Sequence, residues 1–146
     1  MVTLREINRE NFGDVIDLSV FDGQPVPSNL YALAQAKVQP ECIPLAIYNN
    51  DVLVGLIMYC IDINDNEYWI YRLMIDKNFQ RMGYGEAAMK CLLSIIKQDK
   101  EHNKVYISFD PKNIGAKKLY EKLGFIPVGV ISDMDEEVVY CLHYTN

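Results

Sequence analysis

The chain has 146 residues, half of them hydrophobic, which suits one domain over 1–146 that buries roughly 70% of the surface its unfolded form exposes. Twenty acidic side chains against fourteen basic ones leave a net charge of −6, which argues against nucleic acid as a partner, because phosphate binding needs a basic face. An acidic surface favours solubility first and is also compatible with a cationic ligand.

Met1-Val2-Thr3-Leu4-Arg5-Glu6 lacks the apolar core of a signal peptide, and the run Val52–Ile61 is broken by Gly55 and too short to span a bilayer, so a cytoplasmic location is expected. Val2, Leu4 and Ile7 predict a first strand, and Phe12, Val15 and Ile16 a short helix ending before Asp22-Gly23. Pro25 and Pro27 interrupt the chain. Ser28 is placed to cap a second helix bearing Leu30, Leu33 and Ala34, which stops before Pro40. Ile43–Tyr48 and Val52–Ile61 read as a hairpin around Asn49-Asn50-Asp51, and Asn64-Asp65-Asn66 turns again into Glu67–Ile75.

The strand ending in Met74-Ile75 runs through Asp76-Lys77-Asn78-Phe79 into Gln80-Arg81-Met82-Gly83-Tyr84-Gly85 and then a helix, with Ala88, Leu92, Ile95 and Ile96 on one face and Glu86, Lys90 and Lys97 on the other. The first N–H groups of a helix lack internal partners and sit at the positive end of its dipole. Glycines there let a phosphate approach the backbone, and Arg81 adds a full charge. No G-x-x-x-x-G-K-[ST] is present, and Ala88 stands where G-x-G-x-x-G needs its third glycine. An ordinary strand-to-helix turn is the alternative.

Val105–Phe109 is a further strand, and Asp110-Pro111-Lys112-Asn113 leads into a helix with Ala116, Leu119, Tyr120 and Leu123 on one face and Gly124 as its stop. Phe125–Ile131 and Val138–Tyr144 form a last hairpin around Asp133-Met134-Asp135-Glu136-Glu137. That acidic turn and Asp62–Glu67 read either as solvated turn charge or as a rim attracting a cationic ligand. Cys42, Cys60, Cys91 and Cys141 are widely spaced in apolar elements, as reduced buried thiols are, a redox pair being the alternative. His102 and His143 stand apart without ligand spacing, and no metal is expected.

Gln80-Arg81-Met82-Gly83-Tyr84-Gly85 matches Q/R-x-x-G-x-G/A, and Asn113-x-x-Ala116-x-x-x-Tyr120-x-x-x-Gly124-Phe125 follows at a fixed distance. On these two motifs the chain resembles the GCN5-related N-acetyltransferase (GNAT) superfamily, and Tyr68–Asp76 is similar to the bacterial spermine/spermidine (diamine) acetyltransferases. The resemblance implies an α/β (α+β) fold, with helices flanking a mixed, partly split sheet in the order β-α-α-β-β-β-α-β-α-β-β. It implies acetyl-CoA as co-substrate, entering between the strands that end at Ile75 and Phe109. Its pyrophosphate would meet the turn and helix start, Gln80, Arg81, Met82, Gly83, Tyr84, Gly85 and Glu86, and its pantetheine the edge formed by Leu73, Met74 and Ile75.

The resemblance further implies that the Leu73 N–H faces the thioester carbonyl, that Tyr120 protonates the leaving thiolate and that Asn113 contacts CoA. On the residues alone, Tyr120 is equally a core tyrosine with a hydrogen-bonded hydroxyl and Asn113 an N-cap. Relatives place an acid near Arg72, so this chain offers no base to copy; Glu67, a turn acid or water near Tyr71 are the candidates. Arg72 either pairs across the sheet or shapes the acceptor site, to which Asp22, Glu41 and Tyr71 are also assigned. The expected reaction is direct attack on the thioester by spermidine, spermine or a diamine. Alternatives are acetylation of a protein N-terminus or an aminoglycoside, or a non-catalytic acyl-CoA-binding domain. A homodimer is a further possibility, and no membrane partner is expected.

Overall fold

The elements run β1 (Val2–Glu6), α1 (Phe12–Asp17), α2 (Asn29–Val38), β2 (Ile43–Asn49), β3 (Val52–Ile61), β4 (Tyr68–Ile75), α3 (Tyr84–Ile96), β5 (Lys104–Phe109), α4 (Ile114–Lys122), β6 (Ile126–Ile131) and β7 (Glu137–His143). The computed structural model describes residues 1–21, 29–131 and 136–145, and the element order is the one expected. Asp22, Ser28 and Asp133 to Asp135 lie outside the described residues.

The strands form one sheet in the order β1-β2-β3-β4-β5-β7-β6. Every pairing is antiparallel except β4 with β5, which is parallel because α3 carries the chain back to the starting end of the sheet. Burial divides the side chains between two faces. Ile47, Ile70, Leu92, Val105 and Phe125 form one cluster with α3 and α4. Val15, Ala32, Leu56, Met58 and Met74 form the other with α1 and α2, and this second cluster contains no residue of β5 or β7.

Helix α2 does not bury the face its apolar residues suggest. Asn29 and Ala32 point inward while Leu30 is 58% exposed. The reason is a polar anchor: Asn29 Nδ2 donates to the Val15 carbonyl at 2.8 Å and approaches Met74 Sδ at 3.6 Å, which sets the rotation of a weakly amphipathic helix.

Gly55 lies opposite Ile75, and a Cβ there would overlap the Met74 carbonyl oxygen. The missing side chain lets β3 and β4 close together. Gly55→Ala is expected to lower stability by about 1–3 kcal/mol through this overlap, seen as a lower urea midpoint; an unchanged midpoint would show that β4 yields freely.

At the other end of β4, His102 Nδ1 lies 2.8 Å from Asp99 Oδ2 and Nε2 lies 2.9 Å from the Asn66 carbonyl, while Tyr68 donates to the same carboxylate oxygen at 2.9 Å. Both ring nitrogens face acceptors, an arrangement only the imidazolium fills. Burial pushes the His102 pKa down, but the bonds to Asn66 and Asp99 and the nearby carboxylates outweigh it and the net direction is upward. A folded pKa above the unfolded value of about 6.5 gives stability that is full below that pH and lost as pH rises through the folded pKa. The deficit of His102→Gln in thermal midpoint should therefore be larger at about pH 5.5 than at about pH 8.5; equal deficits would contradict a charged His102.

Candidate active site

Strand β4 changes register partway along. Ile70 stands opposite Tyr59 and Arg72 opposite Met58, so Tyr71 is the extra residue of a β-bulge. A one-residue insertion exchanges the faces of all that follows. Before the bulge, Tyr68 and Ile70 join the α3 cluster; after it, Leu73 and Ile75 do, and Met74 passes to the other face.

Pairing with β5 is confined to Tyr68–Val105, Trp69–Tyr106 and Ile70–Ile107, and stops where the bulge begins. Beyond it β5 pairs with β7 alone, through Phe109 opposite Val138. The sheet is therefore split, with Tyr71–Ile75 as an internal free edge. The Asp76 N–H donates to the Val54 carbonyl at 2.8 Å. Strand alternation then turns Met74 toward β3 as well, and leaves the N–H and C=O of Leu73 and Ile75 on the free edge.

The turn after β4 is built around Asp76, whose buried carboxylate accepts from the N–H groups of Ser19 (3.0 Å) and Asn78 (3.1 Å). Gln80 completes the clamp by donating from Nε2 to the carbonyls of Ile75 and Val20, each at 3.0 Å. Its side chain thus holds the turn to β4 and to the segment after α1. Arg81 and Gly83 have φ of 65° and 84°. For an arginine this left-handed backbone costs roughly 1–2 kcal/mol, the kind of strain that accumulates where backbone groups must be aimed.

Helix α3 starts at Tyr84 without a side-chain cap, and its first backbone bond runs from the Ala87 N–H to the Gly83 carbonyl. Among the described residues, no backbone carbonyl accepts from the N–H groups of residues 81–86. That set of unpaired donors at a helix start fits a phosphate group. Gly85 opens onto a cavity of about 350 Å³ shared with Leu73, Ile75, Asn113, Leu119 and Tyr120. The Glu86 carboxylate is turned away to Lys122 at 2.9 Å, so of this residue only the backbone remains for the turn.

Across the split, Asn113 caps α4 by accepting from the Ala116 N–H at 3.0 Å. At the other end, Gly124 (φ 100°) allows a Schellman turn in which the Phe125 N–H reaches the Tyr120 carbonyl and the Gly124 N–H reaches Glu121, each at 3.0 Å. Tyr120 is thereby fixed along the helix, and its ring is gripped by Phe109 and Phe125 at 5.2 and 6.0 Å between centroids. Its hydroxyl makes no hydrogen bond with a described residue, and burial pushes its pKa up to about 12.

A second cavity, about 330 Å³, adjoins the first through Leu73, Asn113 and Tyr120 and adds Tyr71, Arg72, Ser108 and Glu137. Burial draws the Arg72 pKa down. Tyr71 donates to Asp62 Oδ2 at 2.7 Å, and its pKa is raised by burial and by its bonds to Cys60 and Asp62.

Two of the sequence assignments fall elsewhere. Glu67 lies six residues before Leu73, about 20 Å along the strand, with its carboxylate 3.9 Å from Lys104. It is held at the paired end of β4 and does not line the cleft, so it is removed as the base. Glu41 precedes β2 and lines neither cavity. The acid that does line the cleft is Glu137, read in the sequence only as part of an acidic turn; Glu137-Val138-Val139-Tyr140 carries no alternation that would have marked it. Ser108 carried no signal either.

The model of the acetyltransferase (GNAT) family matches residues 2–125. The spermine/spermidine N(1)-acetyltransferase of Bacillus subtilis is 26% identical, over 94% of this chain and 96% of that protein. Two solved structures share the fold. The ribosomal-protein-S18-alanine N-acetyltransferase of Escherichia coli has a TM-score of 0.78 at 15% identity, covering 100% of this chain and 96% of that one. Arabidopsis thaliana Naa50, in complex with a CoA bisubstrate analogue, has a TM-score of 0.76 at 20% identity, covering 98% and 99%.

Proposed function

The chain belongs to the acetyltransferase (GNAT) family, whose co-substrate is acetyl-CoA, and from that premise we propose that it acetylates a primary amine of a small cationic acceptor, a polyamine or diamine. One observation supports this above the others: Leu73 on the free edge, Tyr120 and Glu137 line one cavity. Acetyl-CoA supplies an acetyl group activated as a thioester.

The residues divide the remaining work. The unpaired N–H groups of residues 81–86 and the bare Gly83 and Gly85 hold pyrophosphate, and the β4 edge from Leu73 to Ile75 pairs with the pantetheine amides as an added strand. The Leu73 N–H donates to the carbonyl oxygen as negative charge builds there, an interaction worth about 3 kcal/mol in other enzymes. Tyr120 donates to the departing sulfur. An amine of pKa near 10 must lose a proton before it attacks, and Glu137 takes it on the acceptor side of the split.

The relative from Bacillus subtilis is named for spermine and spermidine, and the net charge of −6 suits such an acceptor. Acetylation of a protein N-terminus is the competing reading, supported by the fold shared with the Escherichia coli enzyme and with Naa50. Product masses from a mixture of spermidine, putrescine, an aminoglycoside and an N-terminal peptide separate the two. Acetylspermidine or acetylputrescine should dominate; acetylated peptide as the main product would overturn the acceptor class.

A further inference from the structure

A third cavity, about 410 Å³, continues the cleft away from the thioester side and is lined by Asp62, Trp69, Tyr71, Ser108, Ile131 and Glu137. It shares Tyr71, Ser108 and Glu137 with the transfer cavity. The two are joined end to end at the residue that would deprotonate the amine.

Its walls are aromatic. Trp69 stacks on Tyr106 with centroids 5.0 Å apart and 23° between planes, and is pinned through Nε1 to Asp65 Oδ2 at 2.8 Å. The far end is anionic. Asp62 accepts from the Asn64 N–H at 2.8 Å and from the Tyr71 hydroxyl at 2.7 Å, and those bonds hold the carboxylate below its usual pKa range, the backbone bond foremost. No described lysine or arginine pairs with Asp62 or Glu137. A cavity with two carboxylates, no counter-ion and flat aromatic walls suits a cation with an alkyl chain.

Resting on the reading of amine acetylation above, we infer that this cavity is a second-ammonium subsite. Asp62 binds the charged nitrogen that is not acetylated, Trp69 and Tyr71 flank the methylenes between the two nitrogens, and the pair selects di- and polyamines over monoamines. The reacting nitrogen becomes neutral at Glu137, whereas the second keeps its charge. Only an acceptor with two nitrogens gains from Asp62.

The test is the ratio of kcat/KM for spermidine to kcat/KM for butylamine, measured in the wild type and in Asp62→Asn. Asparagine keeps the side-chain size and an acceptor for Tyr71 but removes the charge. The ratio is internal to one preparation, so a change in folded fraction cancels. It should fall about tenfold or more, the scale of a lost charge-assisted contact. Wild-type turnover of spermidine with an unchanged ratio in Asp62→Asn would overturn the subsite alone. Wild-type turnover of neither amine would overturn the amine reading, and the subsite with it.

Discussion

Tyr120→Phe is expected to lower kcat about 100-fold while leaving the amine KM and the thermal midpoint close to wild type. Tyr120 lines the cleft, its hydroxyl has no hydrogen-bond partner among the described residues, and its ring is fixed by Phe109, Phe125 and the turn that closes α4. Removing a hydroxyl that makes no hydrogen bond with a described residue costs little stability, so a structural role for it predicts almost no effect of any kind. A catalytic role predicts a loss confined to kcat. With its pKa pushed up to about 12, the phenol keeps its proton at neutral pH and has it to offer as charge develops on sulfur. Steady-state kinetics beside a melting curve decide the matter, and near wild-type kcat would return Tyr120 to the core.

Glu137→Gln should reduce kcat/KM for the amine about 100-fold near neutral pH, with the deficit shrinking as pH rises toward the pKa of the amine near 10. Glutamine keeps the shape and an acceptor but cannot take a proton. At high pH the acceptor arrives already neutral and needs no base, so the variant recovers. A purely structural contribution would give a deficit independent of pH. Full pH profiles of both proteins distinguish them, and a constant ratio would remove Glu137 as the base.

Most of the fold was legible because its signals are local. The Gly83-Tyr84-Gly85 turn, the apolar face of α3 and the Asn113 and Gly124 ends of α4 each follow from residues within a few positions of one another. The split was accessible only through the family resemblance, since periodicity gives strands but not where two neighbours part. The bulge at Tyr71 is a property of register against β3, and nothing within β4 marks it. Glu137 reaches the cleft because β7 inserts between β5 and β6, a pairing across many residues. Glu67 looked close to Leu73 in sequence, but extended chain makes six residues a long way. The rotation of α2 was not legible for a related reason: it is set by the bond from Asn29 to the Val15 carbonyl in another helix, which outweighs the exposure of Leu30.

These assignments depend on acetyl-CoA giving up its acetyl group to an amine in the split between β4 and β5. Release of free CoA thiol from acetyl-CoA, followed with and without spermidine, tests that claim most directly. Thiol should appear in step with acetylated amine and only when the amine is present. Binding of acetyl-CoA with no thiol released to spermidine, putrescine, an aminoglycoside or an N-terminal peptide would contradict the account and leave a domain that holds the thioester without using it.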